Sequence, residues 1–208
     1  MKKIAIFGAG GFGRETRLLI NQINASHTQW EFIGFFDDNQ DKSTSNWLGG
    51  IEALNAFTET LYVVIAIAEP EIRKSIVDKI ANSNMKFATL IHPSVIIDKN
   101  EVNVGEGSII TAYNVLTTNI EIGNHVIVNL SCTTGHDVKL GDYCAVMPGT
   151  HLSGNVNVEE GVLIGTGARL LQNLTIGAWS KIGAGAVVIR DVDKKTTVVG
   201  VPAQPINK

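Results

Sequence analysis

Residues 122–141 read IGNHVIVNLSCTTGHDVKLG, and within them an aliphatic residue returns every six positions. The period extends in both directions: Val104, Ile110, Leu116, Ile122, Val128, Thr134, Leu140, Val146, Leu152, Val158, Ile164, Leu170, Ile176, Ile182, Val188. Fourteen of these fifteen positions are aliphatic, and the exception, Thr134, is β-branched. A helix would repeat at 3.6 residues and a half-buried strand at two, so neither produces the pattern. A six-residue period is the signature of a parallel β-helix, in which three hexapeptides close one eighteen-residue rung of a triangular prism. There is room for about five rungs between Val104 and Val188.

Two further columns support this reading. Glycine follows the aliphatic residue at Gly105, Gly123, Gly135, Gly141, Gly165, Gly177 and Gly183, where the chain turns with positive φ or backbones approach closely. Four residues after the aliphatic come mostly small or β-branched side chains, among them Ser108, Cys132, Cys144, Thr150 and Ala168. Both cysteines therefore read as core filler on neighbouring faces, with no disulfide and a reducing, cytoplasmic setting.

Composition narrows the function. Of 208 residues only 6% are aromatic, the formal charge is −3, and no Lys/Arg run forms a patch, so nucleic acid is not an expected partner. No segment has the apolar length of a membrane span, and the N-terminal MKKIAIFGAGGFG is a first strand rather than a signal peptide.

The first 93 residues lack the period and read as a separate α/β domain, with 94–208 forming the β-helix and its cap. Lys3–Phe7 is an apolar strand leading into Gly8-Ala9-Gly10-Gly11-Phe12-Gly13, a G-x-G-x-x-G turn. A helix over about 14–23 follows, with Leu18, Leu19 and Ile23 on one side, and a strand from Phe32 to Phe36 ends in Asp37-Asp38. Strand, glycine turn, helix, strand and acid is the context of a nucleotide-phosphate site: Gly8, Gly10, Gly11 and Gly13 admit a phosphate to the helix N-terminus, and Asp37 and Asp38 can accept hydrogen bonds from a sugar or base. Tyr62–Ala68 is a further buried strand, with Ala66 on the wall of the site, and Phe87–Ile91 a fourth; the stretch between Asp38 and Tyr62 reads as loop. This is half of a dinucleotide fold, which favours a smaller nucleotide such as a nucleotide-diphosphate sugar.

Thr133-Thr134-Gly135-His136-Asp137 lies where the aliphatic row is interrupted. A neutral imidazole is suited to taking a proton near pH 7, and a neighbouring carboxylate can orient it. Sequence adjacency leaves open whether Asp137 reaches the ring. Neither cysteine precedes a base and no G-x-S-x-G motif occurs, so covalent catalysis has no support.

GAGGFGRE, Asp37-Asp38, His92-Pro93, Gly135-His136-Asp137, Leu152-Ser153-Gly154-Asn155-Val156 and Gly200-Val201-Pro202-Ala203 occur in this order. Together they resemble the sialic-acid O-acetyltransferase and bacillosamine-type nucleotide-sugar N-acetyltransferase family of hexapeptide-repeat acyltransferases. The resemblance covers essentially the whole chain. It implies a Rossmann-like half domain followed by a left-handed β-helix, a homotrimer, and acetyl-CoA lying along the β-helix between two subunits. It further implies His136 as general base, Asp137 as its partner, Gly154 N–H as donor to the thioester oxygen, and Asn129 lining the pocket. Gly165, Ala184 and Lys181 would lie along the CoA path. No metal is implied. Several relatives carry a second histidine nine residues after the first, where this chain has Ala145. His125 and His151 read as surface residues, with His151 near enough to Gly154 in sequence to join the pocket.

The expected reaction is N-acetylation of a 4-amino group on a UDP- or dTDP-linked deoxy-sugar in surface-glycan synthesis. O-acetylation of sialic acid or another sugar is the alternative, and a non-catalytic trimeric sugar-nucleotide-binding protein is a third reading. A β-helix metalloenzyme would need His125, His136 and His151 to converge, and their spacing is irregular against the eighteen-residue rung.

Overall fold

The computed structural model describes residues 1–39 and 45–206. Residues 40–44, part of the stretch between Asp38 and Tyr62 that reads as loop, lie outside the described residues. Strands β1 (Lys2–Phe7), β2 (Trp30–Phe36), β3 (Trp47–Gly49), β4 (Leu61–Ile65) and β5 (Met85–Phe87) form a parallel sheet in the order β3-β2-β1-β4-β5. Helix α1 (Gly11–Ser26) packs on one side through Leu19, Ile20 and Ile23, against Ile4 and Ile6. Helices α2 (Ile51–Asn55) and α3 (Pro70–Lys79) cover the other side through Leu54 and Ile76, against Ala5 and Phe7. Alternation along β1 thus feeds two cores, as a doubly wound sheet requires.

Three expectations change. Leu18 is 56% exposed and Ile20 takes its place, because the buried face runs Gly13, Thr16, Ile20, Ile23 at three- and four-residue steps. The stretch before Tyr62 is not all loop, since it holds β3 and α2; Asp38 Oδ1 accepts from Ile51 N–H at 2.7 Å and satisfies a free donor at the start of that helix. Finally, the strand expected over 87–91 is two strands. β5 ends in the first sheet at Phe87, whereas Leu90–Ile91 (β6) pairs with Ile109–Ile110 of the β-helix.

The β-helix is left-handed and has three faces, of five, eight and five strands, parallel except for the last strand of the eight, Gln204–Pro205, which runs antiparallel to Thr197–Val199. The first carries Val104, Ile122, Leu140, Val158 and Ile176; the second Ile110, Val128, Val146, Ile164 and Ile182; the third Leu116, Thr134, Leu152, Leu170 and Val188. With Val126, Cys132, Cys144 and the other small corner residues, these side chains form one continuous core. Thr134 points inward too, at 1% exposure.

Positive φ does not fall on the glycines that follow the aliphatic residues. It falls three residues after the aliphatic at every turn from Gly107 to Gly185, including Tyr113, Asn119, His125, Ser131, Asp137, Tyr143, Asn155, Asn173 and Trp179. The glycines serve close approach instead: a Cβ on Gly105 would meet the Gly123 carbonyl of the next coil at 2.5 Å.

The residue before each aliphatic points outward. On the first face that row is polar: Asn103, Glu121, Lys139, Asn157 and Thr175. On the second it is Ile109, Ile127, Ala145, Leu163 and Lys181, and the first three are buried. The N-terminal domain docks there, so that Ile109 and Ile127 join the core of α1, Ile4 and Ile6.

Candidate active site

The corner between the third and first faces contains Gly135-His136-Asp137-Val138. At its left-handed position stand Asn119, Asp137, Asn155 and Asn173, one per coil, with φ of 51–62°. Short polar side chains tolerate this backbone conformation, which accounts for an aspartate at 137 on local grounds. The column also forms hydrogen bonds along its length: Asn119 Nδ2 donates to Asp137 Oδ1 at 2.5 Å, and Asn155 Nδ2 to Asn173 Oδ1 at 2.8 Å.

Asp137 Oδ2 lies 2.7 Å from His136 Nδ1, so the contact left open by the sequence is made. The Asn119 amide, followed by the imidazole, holds the Asp137 carboxyl below its ordinary value. An ionised carboxylate can only accept, so Nδ1 carries a proton, and in the neutral ring Nε2 is left with its lone pair. Both side chains face solvent, at 64% and 47% exposure. The ring lies over Gly154 of the next coil, where any Cβ would collide with Nε2 and Cε1. At this position of the hexapeptide the N–H points out of the ladder: Glu106, Asn124 and Ala178 give theirs to side chains. Among the described residues no partner takes the Gly154 N–H.

Asn129, Gly165 and Ala184 sit at a different corner, between the second and third faces. Asn129 is buried and its Oδ1 accepts from Leu130 N–H at 2.7 Å. The residues expected around acetyl-CoA are therefore divided between two edges of the prism, on either side of the third face. Lys181 lies on the second face, its ammonium 2.6 Å from Glu69 across the domain boundary. It borders a cavity of about 830 Å³ between α3 and the last coils, which contains neither His136 nor Gly154.

The glycine turn lies at the C-terminal end of the sheet between β1 and β4, the switch point at which open α/β sheets bind ligands. Its glycines differ in kind. Gly8 has φ +107° and faces the Ala66 carbonyl, and a Cβ on Gly13 would strike the Gly8 carbonyl, so the fold itself needs both. A Cβ on Gly10 would meet nothing within 4 Å, and one on Gly11 only the tip of Arg14. Asp37 is already engaged, Oδ2 accepting from Ala9 N–H at 2.7 Å and Oδ1 from Asn39 N–H at 2.8 Å. It fastens the turn. Asp38 borders a cavity of about 330 Å³ with Trp47, Gly50 and Glu52.

His125 is not a surface residue. At 4% exposure it lies between Phe87 and Tyr143, and burial, followed by the charge of Arg73, pushes its pKa down to about 4. His151 is half-buried on the third face with Nδ1 2.8 Å from Thr133 Oγ1. Cys132 and Cys144 are buried free thiols, and desolvation raises them to about 11 and about 12, so neither is a nucleophile. Among the described residues no three His, Cys, Asp or Glu side chains are grouped to hold a metal, and no helix is long and apolar enough to cross a membrane.

The family model of the PglD N-terminal domain matches residues 3–80. Along its whole length the chain is 32% identical to the GDP-perosamine N-acetyltransferase of Escherichia coli O157:H7, covering 98% of that protein. The chain belongs to the nucleotide-sugar N-acetyltransferases of the hexapeptide-repeat acyltransferase family. It is accordingly an acetyl-CoA-dependent sugar acetyltransferase. Two crystal structures of similar proteins share the fold over nearly the whole chain. PerB from Caulobacter crescentus, in complex with CoA and GDP-perosamine, is 28% identical, with a TM-score of 0.88 and coverage of 100% of this chain and 98% of its own. The acetyltransferase domain of PglB from Neisseria gonorrhoeae FA1090, in complex with acetyl coenzyme A, is 33% identical, with a TM-score of 0.88 and 99% coverage of both.

Proposed function

We propose that this enzyme transfers acetyl from acetyl-CoA to the 4-amino group of a nucleotide-diphosphate-linked amino-deoxy-sugar, with His136 as general base. The observation that carries the reading is the His136–Asp137 pair, with Nδ1 bound to the carboxylate and a bare Nε2 over Gly154. The amine lone pair attacks the thioester carbonyl while Nε2 takes the amine proton. The Gly154 N–H stabilises the developing oxyanion, and the proton then passes to the departing CoA thiolate. No acyl-enzyme forms, in keeping with two buried, fully protonated cysteines.

In this reading residues 1–93 hold the acceptor and 94–208 the acetyl donor. Gly10 and Gly11, open where the fold makes no demand for glycine, admit the diphosphate at the N-terminus of α1. Gly8, Gly13, Asp37 and Ala66 shape that crevice, and Asp38 faces the adjoining cavity. UDP and dTDP suit a small-nucleotide crevice, and the full-length relatives named for GDP-perosamine put GDP first among carriers to test. The division of the donor-side residues between two prism edges supports a homotrimer. The edge with His136 and Gly154 in one subunit would meet the edge with Asn129, Gly165 and Ala184 in the next, and CoA would lie in the groove between them. Lys181 belongs to the CoA path only at its margin, since Glu69 holds its charge. Free buried thiols suit a reducing cytoplasm.

The test is thiol release from acetyl-CoA against GDP-, UDP- and dTDP-linked 4-amino-sugars, with free sialic acid as a hydroxyl acceptor and His136→Ala alongside. One amino-sugar should turn over, and His136→Ala should lower kcat by about 10²–10⁴, the contribution of a general base. Turnover of sialic acid alone would move the reaction to O-acetylation. Undiminished turnover in His136→Ala would remove the histidine from the mechanism.

A further inference from the structure

Arg73 lies one turn into α3 and is 1% exposed, the largest fully buried side chain of the protein. Among the described residues no carboxylate pairs with it. Its donors all go to main-chain carbonyls, in two groups. Nη1 donates to Ile67 O at 2.6 Å and Ala68 O at 2.9 Å, in the loop between β4 and α3. Nε donates to His125 O at 2.8 Å, and Nη2 to Tyr143 O at 2.5 Å and Cys144 O at 3.1 Å, on successive coils of the β-helix.

A buried cation costs several kcal/mol unless every donor is satisfied, and replacing such a group with apolar residues often stabilises a protein. Adhesion between the domains is already provided by Ile109 and Ile127. What the planar fork adds is geometry, because its five N–H vectors are fixed relative to one another and match only one arrangement of the five carbonyls. Two of those carbonyls follow directly on Ala66, whose own carbonyl faces Gly8 of the glycine turn. The other three belong to corners of the β-helix, at and next to the left-handed residues His125 and Tyr143. One guanidinium therefore joins the wall of the crevice to the coils whose register sets the position of His136.

We propose that Arg73 is a positioning residue for the acceptor: it fixes the β4–α3 loop, and with it the nucleotide crevice, in one orientation on the β-helix. This rests on the reading that the glycine turn binds the acceptor's nucleotide. The domain could bind a nucleotide without Arg73, but would present the amino group to the catalytic corner in a spread of orientations. Arg73 remains charged at neutral pH, burial lowering its pKa only to about 10.

The experiment compares wild type with Arg73→Lys, which keeps the charge and loses the fork, and Arg73→Met, which keeps the stem. Steady-state constants are measured for both substrates, together with calorimetric affinity for the carrier nucleoside diphosphate alone, at a temperature where each variant is folded by circular dichroism. The expected result is a fall of at least tenfold in kcat/KM for the nucleotide-sugar. KM for acetyl-CoA and affinity for the nucleoside diphosphate should stay within about threefold. Acceptor kcat/KM within twofold of wild type would overturn the proposal, as would a KM for acetyl-CoA or a nucleoside-diphosphate affinity weakened tenfold or more, or failure of both variants to fold, each marking Arg73 as purely structural. A wild-type enzyme that binds no nucleoside diphosphate marks failure of the site reading itself, and the positioning role falls with it.

Discussion

The two glycine-rich parts of this chain use the same residue for opposite ends. In the β-helix, glycine lets one coil approach the next, and the left-handed turns fall two residues further on, at Asn, Asp, Tyr, His or Trp as readily as at Gly. In the N-terminal turn, Gly8 and Gly13 meet backbone, while Gly10 and Gly11 face open space. In this turn the glycines the fold requires are surrounded by protein atoms, and those open to a ligand are not. Gly154 combines the two: its missing Cβ makes room for a side chain of its own protein, and that side chain is the proposed base.

Gly154→Ala carries the largest effect. Its backbone is not in the left-handed region, so the coil should fold, but the methyl occupies the place of the His136 ring edge and turns Nε2 from its position. Misplacement of a reacting group by about 1 Å costs roughly 100-fold. Kinetics should show that loss in kcat with little change in melting temperature. A full loss of fold would mean that the glycine serves the coil alone.

Gly13→Ala and Gly10→Ala separate the two uses within one turn. The first places a methyl against the Gly8 carbonyl and should destabilise the protein by about 3 kcal/mol or more, the range of severe steric substitutions. The second, at φ −70°, meets nothing in the protein and should leave stability within about 0.5 kcal/mol. It should weaken nucleotide binding about tenfold by blocking backbone approach. Urea unfolding and calorimetry read the two quantities apart.

What the sequence could reveal follows the same division. In the β-helix each position has a reference eighteen residues away, so Thr134 stood out as an interruption and His136-Asp137 could be found beside it. The period distinguishes inside from outside but does not say which outer row another domain covers, and His125 was misplaced for that reason. A signal was present in the paired apolar residues Ile109-Ile110, Ile127-Val128, Ala145-Val146 and Leu163-Ile164, which return every eighteen residues on the second face only. Asn119, Asp137, Asn155 and Asn173 form another such column. Arg73 left no trace, since its partners are backbone carbonyls up to 71 residues away and carbonyls have no identity in a sequence. The α/β domain, having no internal reference, yielded its order of elements but not its strand ends.

His125 gives a pH signature to the covered face. Its imidazole titrates near 4 in the folded protein against an ordinary 6.5. Between those values the unfolded chain takes up a proton that the folded chain refuses, so stability declines as pH falls through that window and recovers as it rises. The full difference is up to about 3 kcal/mol, a pKa unit being worth 1.36. Unfolding midpoints at pH 7 and 4.5 should show the decline, and His125→Phe should flatten it. An aromatic residue suits the site, because Tyr113, Tyr143 and Trp179 already occupy equivalent left-handed positions. An unchanged slope would place the acid sensitivity elsewhere.

The smallest expected effect belongs to Asn119, which touches neither substrate nor base. Glycine is the substitution of choice, since it accepts the left-handed backbone and removes only the amide that holds Asp137 Oδ1. Asp137 keeps its bond to His136 and stays ionised near neutrality, although its pKa should rise toward that of an ordinary carboxyl. Exposed as it is, the carboxylate gains water in place of the amide, so kcat/KM for Asn119→Gly should fall only about threefold, in the range of an exposed interaction. Asp137→Asn, by contrast, keeps Oδ1 for the Asn119 amide and turns an N–H donor toward Nδ1, which favours the tautomer with its proton on Nε2; it should cost ten- to a hundredfold, less than in a buried triad because the pair is solvated. If the two variants lost activity equally, the Asn119–Asp137 contact, and not the charge of Asp137 alone, would be what keeps the imidazole in its working orientation.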